Sequence, residues 1–364
     1  MKAYITGGTG FIGRALVRRL VERGDEVYAL VRSQKGAEEM EAAGAHPVLG
    51  DVTEAESMRE GMRGSQVVFH VAGWYVLGPS KGRLGEKINV DGTRNVLDLA
   101  HELGIPKIIY TSSLAVYGDT HGRLVDETYR MPAGQEFLTE YDRTKWLAHF
   151  KVALPLIEAG APIIIVLPGV VYGPGDQSMV GEMMSRYYAG RLPFPFLPGP
   201  EFTATYAHLD DIVEGHILAA EKGEPGESYI LAGPAIPMGE LVRVWSRVTG
   251  KPEPNLEIPA RFVKPFIPLV EIAGQILPIP GLFSRDTLAI LDASYTARAD
   301  KARERLGWKT RPVEEGMRQT FEWIAQAQES DAPGERSKRI MAGLALGAAF
   351  GLLFLWLTTR KGHR

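Results

Sequence analysis

The chain has 364 residues with 41 basic and 44 acidic side chains, and a net charge of −3 gives it no cationic excess for nucleic acid. It has no cysteine, which excludes disulfides, iron–sulfur ligation and thiol catalysis. With 45% hydrophobic and 23% charged residues it can bury a substantial core, and its length exceeds one ordinary domain.

The first element is an apolar strand at 2–5 that runs into TGGTGFIG at 6–13, after which Ile12, Leu16, Val17 and Leu20 recur at helical spacing. A strand turning sharply into a helix aims unpaired N–H groups beyond the strand end, where a diphosphate is the usual occupant. Gly7 suits the tight turn, Gly10 a close backbone approach to pyrophosphate, and Gly13 a helix lying close on its strand; Phe11 and Ile12 belong to the same cofactor-binding turn. The second strand, 27–31, ends on Arg32, where an NAD site would place Asp or Glu for the ribose 2′-hydroxyl. A cation there suits a 2′-phosphate, so NADP(H) is expected ahead of NAD(H).

A helix at 38–43 and a strand at 47–50 lead to Asp51 and Val52, and the almost wholly apolar strand at 66–71 is expected to be central. A helix at 89–103 stops at Gly104 and a strand follows at 107–111. The next helix, 140–159, is expected to bend at Pro155 before strands at 162–167 and 228–232. This alternation predicts an α/β, Rossmann-type doubly wound parallel sheet. Proline and glycine punctuate 190–200 and 255–281, which read as loops and short helices of a smaller lobe. The expected division is therefore a dinucleotide-binding unit at 1–173, to which 206–233 return, a substrate lobe at 174–205 and 234–325, a linker at 326–339 and a transmembrane helix at 340–359.

The tail carries that last expectation. Positions 340–359 hold no charge and are bracketed by Arg and Lys on both sides. At ~1.5 Å per residue such a helix spans about 30 Å, one hydrocarbon core. The N-terminal glycines fall where the apolar region of a signal peptide would run, so a single-pass membrane protein with a cytoplasmic catalytic domain is expected. Gly343, Gly347 and Gly351 recur every four residues and offer a face on which two tails could form a homodimer.

The reacting groups centre on Tyr141-Asp142-Arg143-Thr144-Lys145. Residues four apart share a helix face, so the Tyr141 phenol and the Lys145 ammonium are expected in one cleft. A free tyrosine titrates near ~10, and a close cation would lower it toward a useful acid/base range. Thr111-Ser112-Ser113 ends the preceding strand, where open α/β sheets place ligands, and Ser113 is the expected partner of a substrate oxygen. His208 with Asp210 and Asp211 reads as a helix cap, so no metal is expected. Trp74, Tyr75 and residues 194–197 read equally as lobe core or as a hydrophobic substrate wall.

Over nearly all of residues 1–325 the sequence resembles the extended short-chain dehydrogenase/reductase family, within the NAD-dependent epimerase/dehydratase superfamily. The motifs are TGGTGFIG, Asp51-Val52, VFHVAG at 68–73, NVDGT at 89–93, TSSLAVYG at 111–118, YDRTK at 141–145, PGVVYGPGD at 168–176 and HLDD at 208–211. The resemblance implies a catalytic set of Ser113, Tyr141 and Lys145, with Asn89 helping to hold a proton-relay water. It also implies that Asp51 and Val52 flank the adenine, and that Ala72, Pro168 and Val170 lie against the nicotinamide half. Dihydroflavonol reductase-like and 3-beta-hydroxysteroid dehydrogenase-like members look most similar. Leu167 stands where many sugar epimerases carry Arg, and no acidic pair follows Ser113. The expected activity is an NADP(H)-dependent interconversion of carbonyl and secondary alcohol on a hydrophobic, polycyclic or lipid-like substrate. The alternatives are a nucleotide-sugar or lipid-linked sugar epimerase that retains its cofactor, and a dinucleotide-sensing binding protein, against which the intact Ser/Tyr/Lys set argues.

Overall fold

The computed structural model describes residues 1–75, 83–192, 196–268 and 284–330. Its strands are β1 (Lys2–Thr6), β2 (Glu26–Val31), β3 (His46–Leu49), β4 (Val67–His70), β5 (Ile108–Thr111), β6 (Ile163–Pro168), β7 (Val170–Tyr172), β8 (Phe196–Pro198), β9 (Thr203–His208), β10 (Ser228–Leu231), β11 (Ala235–Pro237), β12 (Leu256–Ile258) and β13 (Ser294–Tyr295). Seven of them form one sheet in the order β10-β6-β5-β4-β1-β2-β3, with every neighbouring pair parallel. Parallel neighbours need crossovers, and the helices Phe11–Glu22, Gln34–Ala42 and Gly92–Glu102 are among those that supply them. Crossover helices cover both faces of such a sheet, which is why β4, β5 and β6 are buried along their whole length and read as unbroken apolar runs.

The chain builds outward from β1 through β2 to β3, then restarts at β4 and builds the other way. That reversal opens a crevice at the C-terminal ends of β1 and β4, where ligands of such sheets bind.

A second buried cluster gathers around Met184, Trp245 and Phe321, contributed by the helices Met179–Tyr188, Met238–Thr249 and Val313–Ser330. Beside it, β9 pairs with β7, with β13 in parallel and with β11 in antiparallel, while β12 pairs with β8. Trp245 is fully buried, and its truncation to Ala would cost about 3–5 kcal/mol.

Several expected elements differ in detail: the helix Val313–Ser330 takes in residues 326–330 of the linker expected at 326–339, and the helix expected at 89–103 is preceded by Leu84–Glu86 and opens with the wide turn Lys87–Asp91 before Gly92–Glu102. The helix expected at 38–43 begins earlier, at Gln34, because Ser33 caps it by accepting from Gly36 N at 3.2 Å; a polar first turn carries no apolar period by which to read it. The helix expected at 140–159 runs as Glu140–Leu147, a wide π turn at Ala148–Ala153, and Leu154–Glu158. Pro155 lacks the N–H that would close the ordinary i to i−4 bond, and the wider turn before it absorbs the loss in place of a sharp kink. The tail expectation, with its three glycines, and Phe194 lie outside the described residues. Among the described residues no helix is long and apolar enough to cross a membrane.

Candidate active site

The residues singled out in the sequence converge on one edge of the large sheet. Gly7 follows β1, Arg32 follows β2, Asp51 follows β3, Ala72 follows β4, Ser113 follows β5 and Pro168 ends β6. At the first of these turns Gly7 has φ +77°, and a Cβ there would lie 2.6 Å from Ala72 N; a Cβ on Gly13 would lie 2.1 Å from Gly7 O. No other residue fits either position. Gly10 begins the helix without a side-chain cap, and no acidic residue occupies the first turn, so the amides of Phe11, Ile12 and Gly13 face outward in a field that favours an anion. The turn therefore fits the pyrophosphate of a dinucleotide.

Further along this edge, the exposed Arg32 guanidinium has no hydrogen bond or ion pair among the described residues. Asp51 Oδ1 accepts from Thr53 N at 2.9 Å, and Val52 is buried with its carbonyl accepting from Asn95 Nδ2 at 2.9 Å. Ala72 N donates to Thr6 Oγ1 at 3.3 Å, and Val170 is half-buried at the start of β7.

The three hydroxyls after β5 divide by burial. Thr111 Oγ1 pairs with His216 Nε2 at 2.9 Å and Ser112 Oγ with His149 Nδ1 at 2.9 Å, so both are committed inside the fold. Ser113 is half-buried, caps the short turn Leu114–Tyr117 by accepting from Ala115 N at 3.2 Å, and lies near enough to the Tyr141 phenol to favour its ionised form. One turn further along the helix, Lys145 Nζ donates to the Thr111 carbonyl at 2.9 Å and lies 5.2 Å from the Tyr110 ring. Burial lowers its pKa to about 7.

Two sequence expectations need correction. Tyr141 is not lowered: burial pushes its phenol up to about 12 against the Ser113 hydroxyl, with the Asp142 charge adding to the rise. Lys145 points at a backbone carbonyl and is itself desolvated, so its charge does not offset the burial of the phenol. Asn89, buried in the wide turn Lys87–Asp91, is a brace: its Oδ1 accepts from Trp74 N at 2.7 Å, and its Nδ2 donates to Trp74 O at 3.0 Å and Thr144 Oγ1 at 2.9 Å. Both amide hydrogens are thus committed to protein, so a relay water at Asn89 would have to donate to its carbonyl oxygen. The brace fixes the segment carrying Tyr75, whose ring meets that of Tyr141 edge-on at 4.8 Å.

Other features at this edge were not read from the sequence. His70 bridges Thr6 Oγ1 at 2.7 Å and Thr93 Oγ1 at 3.0 Å, so it, His149 and His216 are three buried imidazoles beneath the strand ends. His70 stands in VFHVAG, but no motif holds His149 or His216, and each hydroxyl partner is distant in the chain. Asp142 is 3% exposed and accepts from Tyr295 Oη at 2.9 Å; burial pushes its carboxyl up to about 7. The spacing Thr139-x-x-Asp142, a capping-box pattern, could have flagged its role. His208 caps the helix Leu209–Lys222, and Asp211 pairs with Arg311 Nη2 at 2.9 Å.

A parallel doubly wound sheet with a glycine turn and a Ser/Tyr/Lys cluster at the same edge defines a dinucleotide-dependent enzyme. A family model, the NAD dependent epimerase/dehydratase family, matches residues 3–232, and the chain belongs to that family. It is 30% identical to a 4-hydroxy-2-methyl-3-oxo-4-farnesyl-3,4-dihydroquinoline-1-oxide ketoreductase of Stigmatella aurantiaca, over 85% of this chain and 92% of that one. It is 33% identical to a 2-alkyl-3-oxoalkanoate reductase of Stenotrophomonas maltophilia, over 69% of this chain and 77% of that one. Among solved structures, gox2253 superposes with a TM-score of 0.77 at 32% identity, covering 89% of this chain and 98% of that one. The protein is an NAD(P)-dependent oxidoreductase of the extended short-chain dehydrogenase/reductase type.

Proposed function

We propose that the protein interconverts a ketone and a secondary alcohol on a hydrophobic substrate, with Tyr141 as the acid/base. The observation that carries this reading is the placing of Ser113, at the C-terminal edge of β5, close enough to the Tyr141 phenol to favour its ionised form, with Lys145 buried behind it on the Thr111 carbonyl. The glycine turn at Gly7, Gly10 and Gly13 and the Arg32 guanidinium would hold NADP(H), which when bound would supply or take the hydride at the substrate carbon. Ser113 Oγ–H orients the substrate oxygen, and Tyr141 gives it the phenol proton in reduction or takes that proton in oxidation. A phenol raised to about 12 is protonated at neutral pH and is poised as the donor when a ketone is reduced. Lys145 stays anchored on the Thr111 carbonyl one turn behind the phenol, holding the end of β5 to the helix that carries Tyr141.

Two relatives named as reductases of lipid-like ketones support the substrate class. The uncommitted Arg32 supports NADP(H) over NAD(H). Residues 1–173 and 206–233 carry the cofactor, 174–205 and 234–325 form the substrate lobe, and 340–359 anchor the enzyme to a membrane with its catalytic part in the cytoplasm.

The test is Tyr141→Phe. Cofactor affinity should stay near wild type while ketone turnover falls by roughly 10²–10⁴, the scale of a lost general acid. Full turnover in that variant would reject the role. Stoichiometric change of cofactor absorbance with each turnover separates this activity from an epimerase that retains its cofactor.

A further inference from the structure

The first turn of the helix Glu140–Leu147 is held twice. Locally, Thr139 Oγ1 accepts from Asp142 N at 3.1 Å, capping the helix, and Thr139 favours the charged form of the Asp142 carboxyl. The second hold comes from far along the chain. Tyr295 Oη donates to Asp142 Oδ2 at 2.9 Å, joining β13 to the residue beside Tyr141.

Ser294, the neighbour of Tyr295, is fastened to the other side of the site. Its N–H donates to Asp119 Oδ1 at 2.9 Å, and its carbonyl accepts from Thr120 N at 2.7 Å and Thr120 Oγ1 at 3.0 Å. Since β13 pairs with β9, one short strand ties the lobe both to the loop that follows Ser113 and to the helix that carries Tyr141. A cap alone needs no phenol from another part of the chain. A carboxylate this buried is costly unless hydrogen-bonded, so the pairing favours one arrangement of the two elements. The groups around the carboxylate are Thr139 from its own helix, Tyr141, Tyr75 from the segment after β4, Tyr295 from β13 and Asp286 from the helix Arg285–Ala289.

We propose that Tyr295 and Asp142 are positioning residues: their hydrogen bond locks the turn carrying Tyr141 to the substrate lobe, so that proton donor and substrate wall keep one fixed separation. The inference rests on Tyr141 being the proton donor. A misplacement of about 1 Å at a reacting group costs up to ~10²-fold in rate, so a bond that holds the donor in place is measurable in kcat.

Tyr295→Phe removes only the hydroxyl. It should lower kcat by roughly 10-fold to 10²-fold while leaving cofactor Kd and substrate KM within about threefold of wild type. Asp142→Asn keeps one acceptor oxygen for the phenol and leaves the backbone cap on Thr139 untouched, and should retain kcat within about threefold; Asp142→Leu should lose it. Adding Tyr295→Phe to Asp142→Leu should cost nothing more, since the same bond is already gone. Wild-type kcat in Tyr295→Phe, or a loss in Asp142→Asn as large as in Asp142→Leu, overturns the inference. If Tyr295→Phe does not fold, the contrast between the two Asp142 variants, each checked by thermal melting, decides it alone. Tyr141→Phe run in parallel separates the two readings: its inactivity beside a fully active Tyr295→Phe rejects the positioning role and leaves the proton donor in place.

Discussion

Thr111, Ser112 and Ser113 are chemically near-equivalent in the sequence, and what distinguishes them is the partner each meets. Two are taken by buried imidazoles and the third meets the Tyr141 phenol. Arg32 shows the complementary case, a residue identifiable by position because it needs no partner within the chain. Its guanidinium is exposed beside the first cofactor turn, so Arg32→Ala should weaken NADPH binding by roughly 1.5–3 kcal/mol, the scale of a charged hydrogen bond. NADH affinity should barely move. Titration of both cofactors against both proteins checks this, and equal losses for the two would reject the 2′-phosphate contact.

The strand ends and their helices are joined by His70, His149 and His216, and this makes the fold sensitive to acid. Burial lowers these imidazoles to about 3, 3 and 4. Because the folded values lie below the unfolded value of about 6.5, the unfolded chain binds more protons as pH falls; the stability they contribute is present above 6.5 and lost below it. At ~1.4 kcal/mol per pH unit each could cost about 3–5 kcal/mol, and three together rival a typical total stability of ~5–15 kcal/mol. Asp142, raised to about 7, acts in the opposite sense as pH falls from 7 to 4, as do Asp176 and Glu127, both raised by burial, while His208, also lowered by burial, adds to the loss. The sheet should therefore unfold near pH 4–5, before any of the histidines is protonated in place. His149→Gln keeps a partner for Ser112 without a titrating ring and should move the acid midpoint lower in a circular-dichroism titration. An unchanged midpoint would show that this histidine is not part of the acid response.

At the scale of the whole molecule, we propose that the tail sets where the enzyme works. Nine of the residues at 340–359 are Leu, Ile or Phe. At about −0.3 to −0.6 kcal/mol each near a helix centre they favour insertion by roughly 3–5 kcal/mol, before Gly and Thr offset part of it. Deleting 331–364 should yield a folded enzyme that reduces a water-soluble ketone at the full-length rate but a membrane-dissolved one more slowly. Fractionation gives a direct check: full-length protein should stay with membranes through high salt and alkaline carbonate, and its release by either would refute a spanning tail.

What the sequence determined by itself is what depends on neighbours in the chain. The strand–turn–helix glycines, the strand-to-helix alternation that forces a parallel sheet, and the i,i+4 pairing of Tyr141 with Lys145 are set by covalent spacing. The direction of the Tyr141 shift, the commitment of Asn89 to Trp74 and Thr144, and the Tyr295–Asp142 bond were decided only by the tertiary structure. Each depends on burial or on a partner far away along the chain, up to 153 residues for Tyr295 and Asp142. Desolvation is the sharpest case: a lysine four residues away promises a lowered phenol pKa, but the same packing that brings the two together removes the water that would stabilise the phenolate.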